Sequence, residues 1–142
     1  MIRAFFDTSA LFSAIVSADG GSRELLKRHH RGEISLVMSD YVRLEVERNL
    51  SQKVSAKAGV MELLIDLLDM EIVHPQIDDV RKAMNYVEAK DAPIIAAALI
   101  ANCTHLLTFD KQHLLGNENV AKESGLLVMT PGSLLQSLNT DN

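Results

Sequence analysis

A single cysteine, Cys103, stands among 142 residues. No disulfide can close within the chain, and six methionines with no second thiol fit a reducing compartment. Membrane-spanning runs are missing as well. The longest apolar stretch, Ala92 to Ala101, is about half of the roughly 20 residues a bilayer requires, with a proline near its start. At the N-terminus Asp7 interrupts the apolar Met1 to Phe6 stretch before it reaches the length of an export signal. The expectation is a cytoplasmic protein without membrane contact. An excess of positive charge is also lacking: 14 Lys and Arg stand against 19 Asp and Glu, giving a net charge of −5. That excludes a domain that holds polyanions through an overall positive field. Repeats, linkers and low-complexity tracts are absent, and 47% hydrophobic with 23% charged residues is a globular composition. We read one domain over residues 1–142.

Short apolar runs alternate with amphipathic ones. Ile2 to Phe6, Ile34 to Met38, Glu71 to His74, Thr104 to Thr108 and Leu126 to Met129 read as strands. Helices are expected over Ser9 to Ala18, Arg23 to Arg31 with Ser22 as cap, Ser39 or Asp40 to Lys57, and Val60 to Leu68. Others are expected over Asp78 to Ala89, Asp91 to Asn102 and Ser133 to Leu138. Strands that are continuous apolar runs, separated by helices, point to an α/β fold with a parallel sheet covered on both faces.

In such a sheet ligands bind beyond the carboxyl ends of the strands. Asp7 follows the first strand, and Asp110 follows the strand Thr104 to Thr108 by two residues. Asp91 opens the apolar helix, where it can equally serve as an N-cap. Glu45 shares a helical arc with Tyr41, Val42, Val46 and Asn49, opposite Asp40, Arg43 and Glu47. A buried ion pair, for instance with Arg3, is the alternative to a site role for Glu45. Together the four acids would repel one another unless divalent cations joined them, and oxygen-only ligation selects magnesium or manganese. Two such ions would take the net charge from −5 to about −1, so an acidic chain is compatible with work on phosphodiesters. Ser9 and Thr108 can orient carboxylates from behind, with Thr8 a weaker candidate of the same kind. Lys111 and His113, beside Asp110, and Arg23 and Lys27, within the basic cluster Arg23 to Arg31, are candidates for substrate phosphate.

The segments FFDTSALFSAIVS (Phe5 to Ser17), VRLEVERNL (Val42 to Leu50), KDAPIIAAALIANCTHLLTFDKQHLL (Lys90 to Leu115) and MTPGSLL (Met129 to Leu135) resemble, in order and spacing, the PIN-domain family. They are most similar to its bacterial VapC-like toxin components. The resemblance runs from end to end and implies an α/β/α sandwich with a five-stranded parallel sheet. It further implies a magnesium- or manganese-dependent endoribonuclease, a protein antitoxin that blocks the site, and often a homodimer, for which Val60 to Leu68 offers a surface. Asp7, Glu45, Asp91 and Asp110 match the family's four acids, which implies two-metal hydrolysis of RNA phosphodiesters.

The alternative is a chemically silent scaffold of the same fold, regulated by a partner. A haloacid-dehalogenase-type phosphatase would need a second aspartate where Ser9 stands. A receiver domain would need an acid pair and a late-strand lysine that the sequence does not offer.

Overall fold

The computed structural model describes residues 1–140. Five parallel strands, β1 (Arg3–Phe6), β2 (Ser35–Ser39), β3 (Glu71–Val73), β4 (His105–Leu107) and β5 (Leu127–Met129), form one sheet in the order β3-β2-β1-β4-β5. Phe5 of β1 lies opposite Val37 of β2 and Leu106 of β4. Phe5, Phe6, Leu36, Val37, Leu106 and Leu107 are fully shielded from solvent, the reason the three inner strands are apolar through their centres. The edge strands carry exposed residues such as Glu71 and Leu127.

Going from β1 to β2 to β3 the chain steps in one direction, and from β3 to β4 to β5 in the other. Right-handed crossovers therefore place α1 (Thr8–Val16), α2 (Gly21–His30), α3 (Asp40–Lys53) and α4 (Ala58–Leu68) on one face. They place α5 (Ile77–Ala83), α6 (Ala92–Ile100) and α7 (Glu118–Ser124) on the other. The last helix, α8 (Pro131–Thr140), packs back on α2. The result is the expected α/β/α sandwich. No helix among the described residues is long and apolar enough to cross a membrane.

Several boundaries differ from the sequence reading. Ser22 does not cap α2. The helix starts earlier, with Gly20 as its N-cap, and Gly21 in its first position lies against the Gly132 backbone at the start of α8, where a Cβ would come to 3.4 Å. Ser22 is thereby buried, its hydroxyl without a partner. The third helix stops at Lys53, where Val54 leaves helical geometry ahead of a 3₁₀ turn. The fifth ends at Ala83, not Ala89: the Ala83 carbonyl accepts N–H bonds from both Tyr86 and Val87, turning the chain so that these side chains pack on the core. One helix, α7, was not anticipated. Asn117 caps it by accepting from the Val120 N–H, and Gly125 ends it with φ 74°.

His29, within the basic stretch, is turned inward as a staple. Its Nδ1 accepts the Leu36 N–H of β2 (3.0 Å), which fixes the neutral tautomer whose Nε2 donates to the Leu68 carbonyl at the end of α4 (2.9 Å). Cys103, beneath the end of α6, is buried, which pushes its thiol up to about 11 and makes it a small apolar filler. His29→Ala is expected to lower stability by about 1–3 kcal/mol by leaving the Leu36 N–H unpaired. Denaturant unfolding measures this, and an unchanged midpoint would show that the staple contributes nothing.

Candidate active site

The strand order reverses between β1 and β4, and their carboxyl ends open a crevice. Asp7 leaves β1 directly into it, its N–H bonded to the Leu107 carbonyl at the end of β4 (3.1 Å). Asp110 comes three residues after β4. Because α6 runs back antiparallel to the strands, its first turn, with Asp91, lies at this same edge. The third helix leaves β2 there and carries Glu45 in its second turn. All four carboxylates line one cavity of about 440 Å³.

Each acid is held differently. Asp7 is 6% exposed. Its Oδ1 accepts from the Ser9 hydroxyl (2.7 Å) and the Ala10 N–H (2.8 Å), and Thr108 adds a further side-chain hydrogen bond. Ser9 Oγ also accepts the Phe109 N–H (2.9 Å), so one hydroxyl ties the end of β1 to the end of β4. Burial raises the Asp7 carboxyl above the ordinary range, with Asp110 adding to the effect against these hydrogen bonds. Glu45 accepts from the Thr8 hydroxyl (2.6 Å), the residue given least weight in the sequence, and from the Tyr41 phenol. Burial and the Glu45 charge raise the Tyr41 pKa, keeping the phenol a donor. Arg3 is not the partner of Glu45; it binds the Ala101 carbonyl and Glu71.

Asp91 occupies the N-cap position of α6 with no capping hydrogen bond from its side chain, so its carboxylate is not engaged as an ordinary cap. Burial raises its pKa, opposed by Lys90 and raised again by Asp110. Asp110 Oδ1 accepts the N–H groups of Gln112 and His113 (both 3.0 Å), which fixes it on its turn.

Among the described residues no three acidic, histidine or cysteine side chains are gathered tightly enough to hold an ion directly. The chemistry of the set nevertheless fits magnesium or manganese: the acids are all-oxygen donors, two of them have raised pKa values, and a hard ion of this kind is ordinarily bound through one or two carboxylates with water completing its shell.

The cationic candidates fall out unevenly. Lys111 is exposed, outside the cavity lining. His113 stands behind Asp110, 3.5 Å from its Oδ2, between Glu88 (3.7 Å) and Lys90 (3.1 Å). Arg23 does not reach the cleft, because its guanidinium closes the end of α1 on the Ala14 and Ile15 carbonyls. Lys27 lies on the far groove between α2 and α4, beside Glu24. The neighbouring Arg28 and Arg31 are likewise paired with Glu24 and Glu33. The cations that do line the cavity are Lys53 and Lys90, which the sequence reading passed over. Lys90 was legible as the neighbour of Asp91, whereas Lys53 is eight residues beyond Glu45 and needed the helix register to be noticed.

An all-parallel α/β domain with four acids at its topological switch point defines a class, and comparison gives the family. The family model for the PIN domain matches residues 4–115. The chain belongs to the PIN domain family, whose members are generally metal-dependent nucleases. Comparison with curated protein sequences finds no match. Among solved structures the chain is similar to PAE2754 from Pyrobaculum aerophilum (16% identity, TM-score 0.60, covering 95% of this chain and 96% of that one). It is similar also to VapBC-1 from nontypeable Haemophilus influenzae (14%, 0.61, 92% and 99%) and to VapBC2 from Rickettsia felis bound to a promoter DNA fragment (15%, 0.60, 89% and 97%). At these identities the likeness is one of fold.

Because the Asp7 carboxyl is raised, ionising it works against the metal-free fold. That penalty is absent below the ordinary aspartate range, near roughly pH 4, and grows as pH rises through the folded-state value. Asp7→Asn keeps an acceptor for Ala10 and caps α1 as well as aspartate does. It is expected to raise the melting temperature in chelator at pH 7, with the gain shrinking as pH falls toward about 4. A variant less stable than wild type at pH 7 would mark Asp7 as a structural cap.

Proposed function

We propose that the chain is a magnesium- or manganese-dependent endoribonuclease, and that it is the toxin of a toxin–antitoxin pair. The observation that carries the reading is the convergence of four carboxylates, from four separate elements, on the one cleft at the switch point. Asp7, Glu45, Asp91 and Asp110 would hold the metal, which supplies an activated water and neutralises charge on the phosphate. Asp7 is oriented for this by Ser9, Thr108 and the Ala10 N–H, and Glu45 by Thr8 and Tyr41. Water oxygen would attack phosphorus in line with the departing 3′ oxygen, leaving a 5′-phosphate and a 3′-hydroxyl. Lys90, on the α6 side of the cleft, is placed to meet a phosphate oxygen.

Charge explains why metal and substrate go together. Four acids and two lysines give the lining a formal −2, which repels RNA; one divalent ion makes it neutral and two make it +2. The partner side of the proposal draws on the neighbours named VapBC-1, VapBC2 and FitAcB from Neisseria gonorrhoeae, and an antitoxin would act by closing this cleft. A homodimer is part of the reading, with Leu63 and Leu67 of α4, 58% and 66% exposed, as apolar surface for it to cover; mass in solution measures this.

Purified protein is expected to cut a mixed RNA pool with manganese or magnesium and not with chelator. Asp7→Asn and Asp110→Asn should lose at least roughly a hundredfold of the rate, the scale on which one essential charged group in a site acts. Full activity in either variant would remove it from the catalytic set. Absence of cutting together with absence of thermal stabilisation by metal would favour the scaffold reading.

A further inference from the structure

Beyond the acids the cleft continues along α3. Tyr41, Glu45, Asn49 and Lys53 all line it. Successive steps of four residues keep them on one face, and Lys53 lies about 12 Å along the axis from Glu45. Phe12 of α1 faces them across the same wall, half-buried, with the Lys53 ammonium 5.9 Å from its ring centroid. That is near the limit at which a cation feels a ring, and Lys53 has no carboxylate within salt-bridge reach among the described residues. Among the described residues the Asn49 amide has no hydrogen-bond partner either. The basic groups nearest Asp91 and Asp110 are engaged: Lys90 is hydrogen-bonded to His113, and His113 is wedged between Glu88 and Asp110.

An aromatic face, an uncommitted amide and an uncommitted ammonium in one groove match the three parts of a nucleotide. The ring can stack a base, the amide can meet a base edge, and the ammonium can meet a phosphate. We infer that Phe12, Asn49 and Lys53 form a nucleotide subsite beside the reacting centre, which holds the unpaired RNA residue flanking the phosphodiester to be cut. This rests on the nuclease reading and says where that activity finds its grip. It selects single-stranded over duplex RNA, because only an unstacked base can lie on Phe12.

Two measurements made together test it: manganese-dependent cleavage of a short single-stranded RNA, resolved into KM and kcat, and fluorescence anisotropy of the same labelled RNA. Lys53→Ala and Phe12→Leu are each expected to raise KM and Kd roughly tenfold, with kcat changed by less than about twofold. Lys53→Arg should restore binding. Lys53→Ala should also reduce the slope of log affinity against log salt by about one contact's worth, which a loss of packing would not do. An RNA lacking one base next to the cleaved bond should bind wild type and Phe12→Leu alike. If wild type cuts and both variants match it in KM and Kd, the subsite is wrong while the nuclease reading stands. If wild type neither cuts nor is stabilised by metal, the nuclease reading falls; loss of RNA binding in Lys53→Ala would still uphold the subsite as a place where RNA is held, and unchanged or undetectable binding would overturn it.

Discussion

A carboxyl group sits at the end of the central strand of this protein, almost wholly out of water. Burial of an ionisable group is unfavourable unless something meets its charge, and much of the surrounding structure is concerned with meeting that of Asp7. Ser9 and the Ala10 N–H satisfy one oxygen from the start of α1, and Thr108 reaches it from the end of β4. The same hydroxyl of Ser9 takes the Phe109 N–H, so the contacts that orient the carboxylate also lock the neighbouring strand exits together. These bonds lower the penalty without abolishing it, since the carboxyl remains raised. A fold under no demand except stability could place an apolar residue or an asparagine here. Retaining the acid makes sense where a cation completes the arrangement.

The other acids reach the same place through parallel topology. Every strand in a parallel sheet ends at one edge, and every helix leading into a strand starts there, so one crevice collects residues distant in sequence. Asp7 and Asp110 arrive as strand exits, Glu45 on a helix leaving β2 and Asp91 on a helix returning to β4. Their supports are local and independent: Thr8 and Tyr41 hold Glu45, while the backbone of the turn at Gln112 and His113 holds Asp110. Among the described residues Asp91 has no such anchor, and its side chain makes no capping hydrogen bond.

What the sequence made legible follows the same physics. The inner strands were readable because burial on both faces leaves apolar residues through their centres, with Arg3, Ser35, Ser39 and His105 confined to the ends, and the acids stood out because charge just past such runs has few other uses. Capping residues misled in one place: Ser22 has the right chemistry for a cap, but the helix is capped two residues ahead of it, at Gly20, and Ser22 lies buried in the first turn. The seventh helix escaped notice because only Val120 is fully buried in it, too little for a helical period, though Asn117 and Gly125 mark its ends. The basic cluster Arg23 to Arg31 looked like a phosphate guide in one dimension. In three dimensions Glu24 and Glu33 neutralise much of it, His29 turns inward, and Arg23 serves the carbonyls of α1. Charge counted along a sequence says little about field until the partners from elsewhere in the fold are known.

That redistribution decides how a polyanion can approach. With the α2 arginines engaged and a net charge of −5, the protein has no overall positive field to draw in a polyanion, and the two lysines of the cleft, Lys53 and Lys90, the latter hydrogen-bonded to His113, flank acids that outnumber them. Attraction therefore has to be local and conditional: it arises when divalent ions offset the carboxylates, and it acts over distances shorter than a Debye length, within the cleft. On the reading proposed here, metal is required for the substrate to be held as well as for the chemistry. A surface that attracts RNA only at the loaded site would also spare the protein the indiscriminate binding that a basic face brings, which leaves discrimination to the aromatic and amide groups lining the cleft.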